Sequence, residues 1–76
     1  MTRLRLVPYR QLRKIIERLG SQWVRCVGSH NTFRSKDGRT VVVPDHGSQV
    51  IVRPLLRKIL RDIGLSVDDY NEMPNG

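Results

Sequence analysis

One cysteine, Cys26, and two histidines, His30 and His46, give this chain no means of stapling itself together. A single thiol cannot close an intramolecular disulfide, and two histidines make no recognisable metal-ligand cluster. At 76 residues the chain is near the lower limit at which a hydrophobic core alone stabilises a fold, so its apolar side chains must be gathered into one core. The sequence therefore predicts a single domain over residues 1–76, with its core between about residues 8 and 70. The cysteine usage fits a reducing cytoplasm. No apolar run approaches the roughly 20 residues needed to cross a bilayer. Residues 1–6 carry arginines where a secretory leader needs an apolar stretch, so the expectation is a soluble, cytoplasmic protein.

The charge is large and uneven. Net charge at neutral pH is +7, but all fourteen Lys and Arg lie within residues 1–61 against only Glu17, Asp37 and Asp45. Asp62, Asp68, Asp69 and Glu72 follow with no base among them. A polyanionic partner suits the main body. Because eleven of the fourteen bases are arginine, whose flat guanidinium pairs with phosphate in a fork and stacks on bases, nucleic acid is favoured over a membrane surface. Colloidal stability alone also asks for some net charge.

Leu12, Ile15, Ile16 and Leu19 recur at i, i+3, i+4 and i+7 after Pro8, with Gly20 as a stop, which predicts an amphipathic helix. Its other face carries Arg10, Arg13, Lys14, Glu17 and Arg18, either a solvated face or a phosphate-binding one. Beyond Gly20 the period falls to two. Trp23 to Val27 reads as a strand turning at Gly28, His30 to Arg34 as a second, and Thr40 to Val43 as a third joined through Ser35-Lys36-Asp37-Gly38 and ended by Pro44. Such short connections imply an antiparallel meander. A second helix starts near Pro54, carries Leu56, Ile59, Leu60 and Ile63 on one stripe, and stops at Gly64. Ser66 opens a capping-box-like Ser-Val-Asp-Asp, so residues 67–72 form one more helical turn with Tyr70 packing back; residues 73–76 are read as a frayed end. The expected fold is α+β: a two-layer sandwich of a three-stranded antiparallel sheet with two helices on one face.

Gly28-Ser29-His30, entering the second strand, faces Val43-Pro44-Asp45-His46 at the end of the third. An imidazole with a pKa near ~6.5 is partly neutral at physiological pH and can take a proton from a ribose 2′-hydroxyl. The 2′-oxygen then attacks the adjacent phosphorus, and guanidinium groups stabilise the developing charge. Arg25, Arg34, Lys36 and Arg39 lie on the expected hairpin strands for that purpose. The plainer reading of His30 is a turn histidine bonded to backbone or water. His46 is either a general acid for the leaving oxygen or an exposed loop residue. A Ser-His-Asp hydrolase made from Ser29, His30 and Asp45 is set aside, because adjacent strand residues point to opposite faces. Cys26 reads as core, and Trp23 as cover for the core's edge or a base-stacking surface.

Taken in order, the helix ending at Gly20, the Trp23–Val27 strand, Gly28-Ser29-His30, the Asp37-Gly38 hairpin, Val43-Pro44-Asp45-His46 and Leu56-Arg57-Lys58-Ile59-Leu60 running to Ile63-Gly64-Leu65-Ser66 resemble the HicA (YcfA-like) mRNA interferase toxins over about residues 8–70. The resemblance implies a double-stranded-RNA-binding-domain-like fold and metal- and cofactor-free cleavage of mRNA, with His30 as the catalytic histidine. It also implies neutralisation by a HicB-like antitoxin, with the toxin a monomer when free and a hetero-oligomer with its partner. An RNA-binding domain of the same fold that does not cut is the alternative. Two departures stand out. Pro54-Leu55 replaces the Gly-Thr pattern common at the start of the second helix, and Asp45 puts a carboxylate where relatives often carry a basic or neutral residue.

Overall fold

The computed structural model describes residues 3–73 and has the order α1 (Tyr9–Arg18), β1 (Gln22–Val27), β2 (His30–Arg34), β3 (Thr40–Pro44), α2 (Arg53–Ile63) and α3 (Val67–Glu72). The expected meander is present, with the strands neighbouring one another in the order β1-β2-β3 and both pairings antiparallel. Three glycines end elements as expected, Gly20, Gly28 and Gly64 all having positive φ. Ser66 caps α3 by accepting the Asp69 N–H on its hydroxyl at 3.1 Å.

Side-chain alternation gives the sheet two unlike faces. Phe33 of β2 and Val41 and Val43 of β3 point to the helices and are buried, together with Leu12, Ile15 and Ile16 of α1 and Leu56, Ile59 and Leu60 of α2. Tyr9 also belongs to this layer, its ring centroid 6.4 Å from that of Phe33. On the opposite face His30, Thr32 and Arg34 alternate with the buried residues of β2, and no helix covers them.

Three expectations change. Leu19 is the C-cap of α1 rather than part of its buried stripe, and is 45% exposed because the helix ends one residue before it. Cys26 is exposed rather than core. The reason is the sheet order: helices cover β2 and β3, while β1 overhangs as an edge strand in which all six residues are exposed. Trp23 on the same strand is half exposed, and its indole N–H donates to Asn31 Oδ1 at 2.9 Å. The core also extends further toward the N-terminus than the helical periodicity suggests. Leu4 and Val7 are buried in an extended segment whose Val7 carbonyl accepts the Ile51 N–H at 2.9 Å. The same segment meets α3, where Tyr70 donates its hydroxyl to the Arg5 carbonyl at 2.7 Å and the Arg5 guanidinium stands 4.6 Å from the Tyr70 ring centroid. Residues 74–76 of the expected frayed end lie outside the described residues. No helix among the described residues is long and apolar enough to cross a membrane.

Candidate functional site

Gly28 and Ser29 are the two residues between the paired Val27 and His30, so the β1–β2 connection is a two-residue hairpin turn. A glycine at the first turn position, with φ of 61°, fits the turn type whose twist matches the flanking strands. The turn fixes His30 as the first residue of β2, paired on its other side with Pro44. Its side chain is exposed on the helix-free face, and no described residue donates or accepts a hydrogen bond at its ring.

Arg25 pairs with Thr32, two residues along β2 from His30, which sets Arg25 diagonally across from the histidine on the same face. Arg34 shares that face four residues further on, about 13 Å away at the rise of an extended strand. A slip in register between Trp23 and Arg25 is what turns Arg25 outward. Without that bulge the strict alternation of β1 would send its side chain to the helix side.

Lys36 and Arg39 lie at the other end of the sheet. The aliphatic part of Lys36 runs over Gly20, where a Cβ would come within 2.7 Å of its Cε. Arg39 is engaged by Asp37, with Nε 3.1 Å from Oδ2. The Ser35 hydroxyl, which donates to Asp37, and then the Arg39 backbone N–H and guanidinium hold the Asp37 carboxyl below its ordinary pKa. The hairpin tip therefore offers less free positive charge than its two bases suggest.

His46 lies in the turn after β3 and is exposed. The preceding residue, Asp45, donates its N–H to the Ser29 carbonyl at 2.8 Å, so the two strands run together for one residue beyond the His30–Pro44 pair. His46 thus belongs to the same end of the sheet as His30. Beyond it the Asp45 carboxylate accepts the Gly47 N–H at 3.0 Å and bends the chain away. Among the described residues, no three His, Cys, Asp or Glu side chains come together as a metal-binding group.

Tyr9 and Arg13 also reach this end from α1. Arg13 donates to the Tyr9 hydroxyl at 3.2 Å and to Glu17 at 3.2 Å, and its guanidinium lies 5.6 Å from the Phe33 ring centroid. Burial pushes the Tyr9 phenol above its ordinary pKa, and the bond from Arg13 opposes that rise. Their position beside Asp45 could not be read locally, because the two segments are far apart in sequence.

Fold and charge together define a small cationic α-β-β-β-α domain that presents a histidine and two arginines on an open sheet. A family model described as HicA toxin of bacterial toxin-antitoxin matches residues 9–65, well over half of the chain. The chain belongs to the HicA toxin family, and so to the toxins of bacterial toxin–antitoxin systems. A search among curated proteins gives no match.

Proposed function

We propose that the chain is an endoribonuclease, the mRNA-cleaving toxin of a type II toxin–antitoxin system, and that residues 1–76 form one HicA-like toxin domain. The observation that carries this reading is the exposed His30 on the helix-free face, at the mouth of a hairpin, with Arg25 diagonal to it. RNA lies along that face. His30 takes the proton from a ribose 2′-hydroxyl, the 2′-oxygen forms a bond to the adjacent phosphorus, and the bond to the 5′-oxygen breaks. His46 or water supplies the proton to the leaving oxygen. Arg25 and Arg34 stabilise the charge on the phosphoryl oxygens, with Lys36 and Arg39 adding longer-range attraction for the strand. Gly28 and Ser29 support the reaction by holding the turn that presents His30.

No metal or cofactor takes part in this scheme, and the protein acts in the cytoplasm on mRNA. A HicB-like antitoxin, acidic where it meets the basic sheet, competes with RNA for the same face; the free toxin is a monomer and the neutralised form a hetero-oligomer. Cleavage should persist in excess chelator and leave a 2′,3′-cyclic phosphate and a 5′-hydroxyl. Expression of wild type should arrest growth and degrade cellular RNA, while a folded His30→Ala protein should do neither. RNA cut equally well by that variant would remove His30 from the chemistry.

One observation favours a second reading, in which the domain binds RNA by shape and does not cut it. No described neighbour hydrogen-bonds the His30 ring to orient it as a base. Intact RNA after prolonged incubation with tightly bound wild-type protein would select this reading.

A further inference from the structure

At the same end of the sheet as His30, a groove of about 590 Å³ opens between the start of α1 and the turn after β3. Its size is within the roughly 300–1,000 Å³ of small-ligand sites. Tyr9, Arg10 and Arg13 line one side, and Asp45, Gly47 and Ser48 the other. Two of these groups are held before any ligand arrives: Arg13 by Tyr9 and Glu17, and Asp45 by the Gly47 N–H on Oδ1 and by its own N–H to Ser29. Asp45 Oδ2 has no hydrogen-bond partner among the described residues.

The charge of this groove sets it apart from the rest of the chain. Its lining sets the Asp45 carboxylate among Arg10 and Arg13, and Glu17, outside the lining, pairs with Arg13, so positive charge is partly offset here within a protein of net charge +7. A phosphate placed here would meet the Asp45 carboxylate. A base that offers donors to a carboxylate and acceptors to guanidinium groups meets no such conflict. Guanine alone among the four RNA bases carries two adjacent donors, N1–H and N2–H₂, together with the O6 and N7 acceptors that arginine reads. Adenine and cytosine put a ring-nitrogen acceptor beside their amino group, where it would oppose a carboxylate oxygen, and uracil has no amino group.

Position ties the groove to the sheet. Asp45 follows Pro44, the partner of His30, and alternation turns its side chain to the helix side while His30 stays on the open face. RNA that lies along the open face at His30 has to turn over the end of the sheet to place a neighbouring base in the groove. We infer that this groove is a guanine subsite, in which Asp45 accepts N1–H and N2–H₂ and Arg10 and Arg13 donate to O6 and N7. The inference rests on the reading that RNA lies across this end of the sheet, but not on cleavage.

Binding in the non-cutting His30→Ala background separates the two. Anisotropy titrations would compare an all-uridine pentaribonucleotide with pentamers carrying one central G, A or C. The G pentamer should bind about tenfold tighter than the all-uridine one, in line with one good two-point base contact. Adding Asp45→Asn keeps an oxygen for the Gly47 N–H but turns an amide donor toward the base, and should bring the G pentamer down to the all-uridine level. Matching thermal melts and circular dichroism would establish that the double variant is folded. Equal affinities for all four pentamers, a preference for A or C, or a G preference that survives Asp45→Asn would overturn the subsite. No binding of any pentamer would overturn the RNA reading with it. A G preference in a wild-type protein that leaves the same RNA uncut would uphold the subsite and sink the nuclease alone.

Discussion

Tyr70 shows how much one side chain carries in so small a core. Its ring is fully buried, its hydroxyl donates to the Arg5 carbonyl, and the Arg5 guanidinium covers the ring face. Tyr70→Phe removes the donor and leaves a carbonyl short of a partner, at an expected cost of about 1–2 kcal/mol in urea unfolding. Burial also raises the phenol's pKa above its ordinary 10.0, with Arg5 opposing the rise. The folded state therefore favours the neutral phenol. That contribution is complete below the ordinary value and is lost as pH climbs through the folded one, so alkaline unfolding should be shallower in Tyr70→Phe than in wild type. Cys26 lies at the opposite extreme. It is exposed on the edge strand, so a thiol reagent should modify it fully in the native protein. Cys26→Ser should change stability by no more than about 0.5 kcal/mol.

The elements themselves were largely legible in the sequence. The 3.6-residue stripes of α1 and α2, the glycines that end them and the Ser66 cap are local signals, and local chemistry decided them. Which face each element buries depends on neighbours that local sequence does not specify. Leu12 and Leu19 looked alike on one stripe, yet Leu12 is fully buried and Leu19 caps the helix. Leu12→Ala should cost roughly 2–5 kcal/mol and Leu19→Ala about 0.5 kcal/mol, both by chemical denaturation. Cys26 is exposed where its residue type suggests core, because a β-rich pattern does not say whether a strand is central or at the edge. The segment before α1 did leave a trace, with Leu4 and Leu6 alternating against Arg3 and Arg5, but arginines on both sides obscured it. Leu4→Ala should destabilise as a core substitution does, by about 2–5 kcal/mol. At the site, the hairpin and its histidine were readable from Gly28-Ser29-His30, whereas the meeting of α1 with Asp45 required the tertiary fold.

For the whole molecule, stability and charge pull in different directions. A chain of 76 residues is expected to hold only roughly 4–11 kcal/mol of folding free energy, so the core substitutions above take a large share of it. Its positive charge repels itself, and binding a polyanion relieves that repulsion. RNA affinity should fall linearly with salt on a double-logarithmic plot. Arg25→Gln and Arg34→Gln should each flatten the slope by about 0.7, the value for one single-strand phosphate. Arg39→Gln should flatten it less, since Asp37 already holds that guanidinium.

The hydrogen bonds between Arg5 and the backbone and side chains of Tyr70 and Asn71 span nearly the full length of the chain. A nascent copy on the ribosome cannot close this clasp until Tyr70 and Asn71 have left the exit tunnel. The hydrophobic residues beside Arg5 wait, unsealed, for a partner made 65 residues later. A truncated product released before that point would lack the seal on its core, and with it the rigid support beneath the sheet.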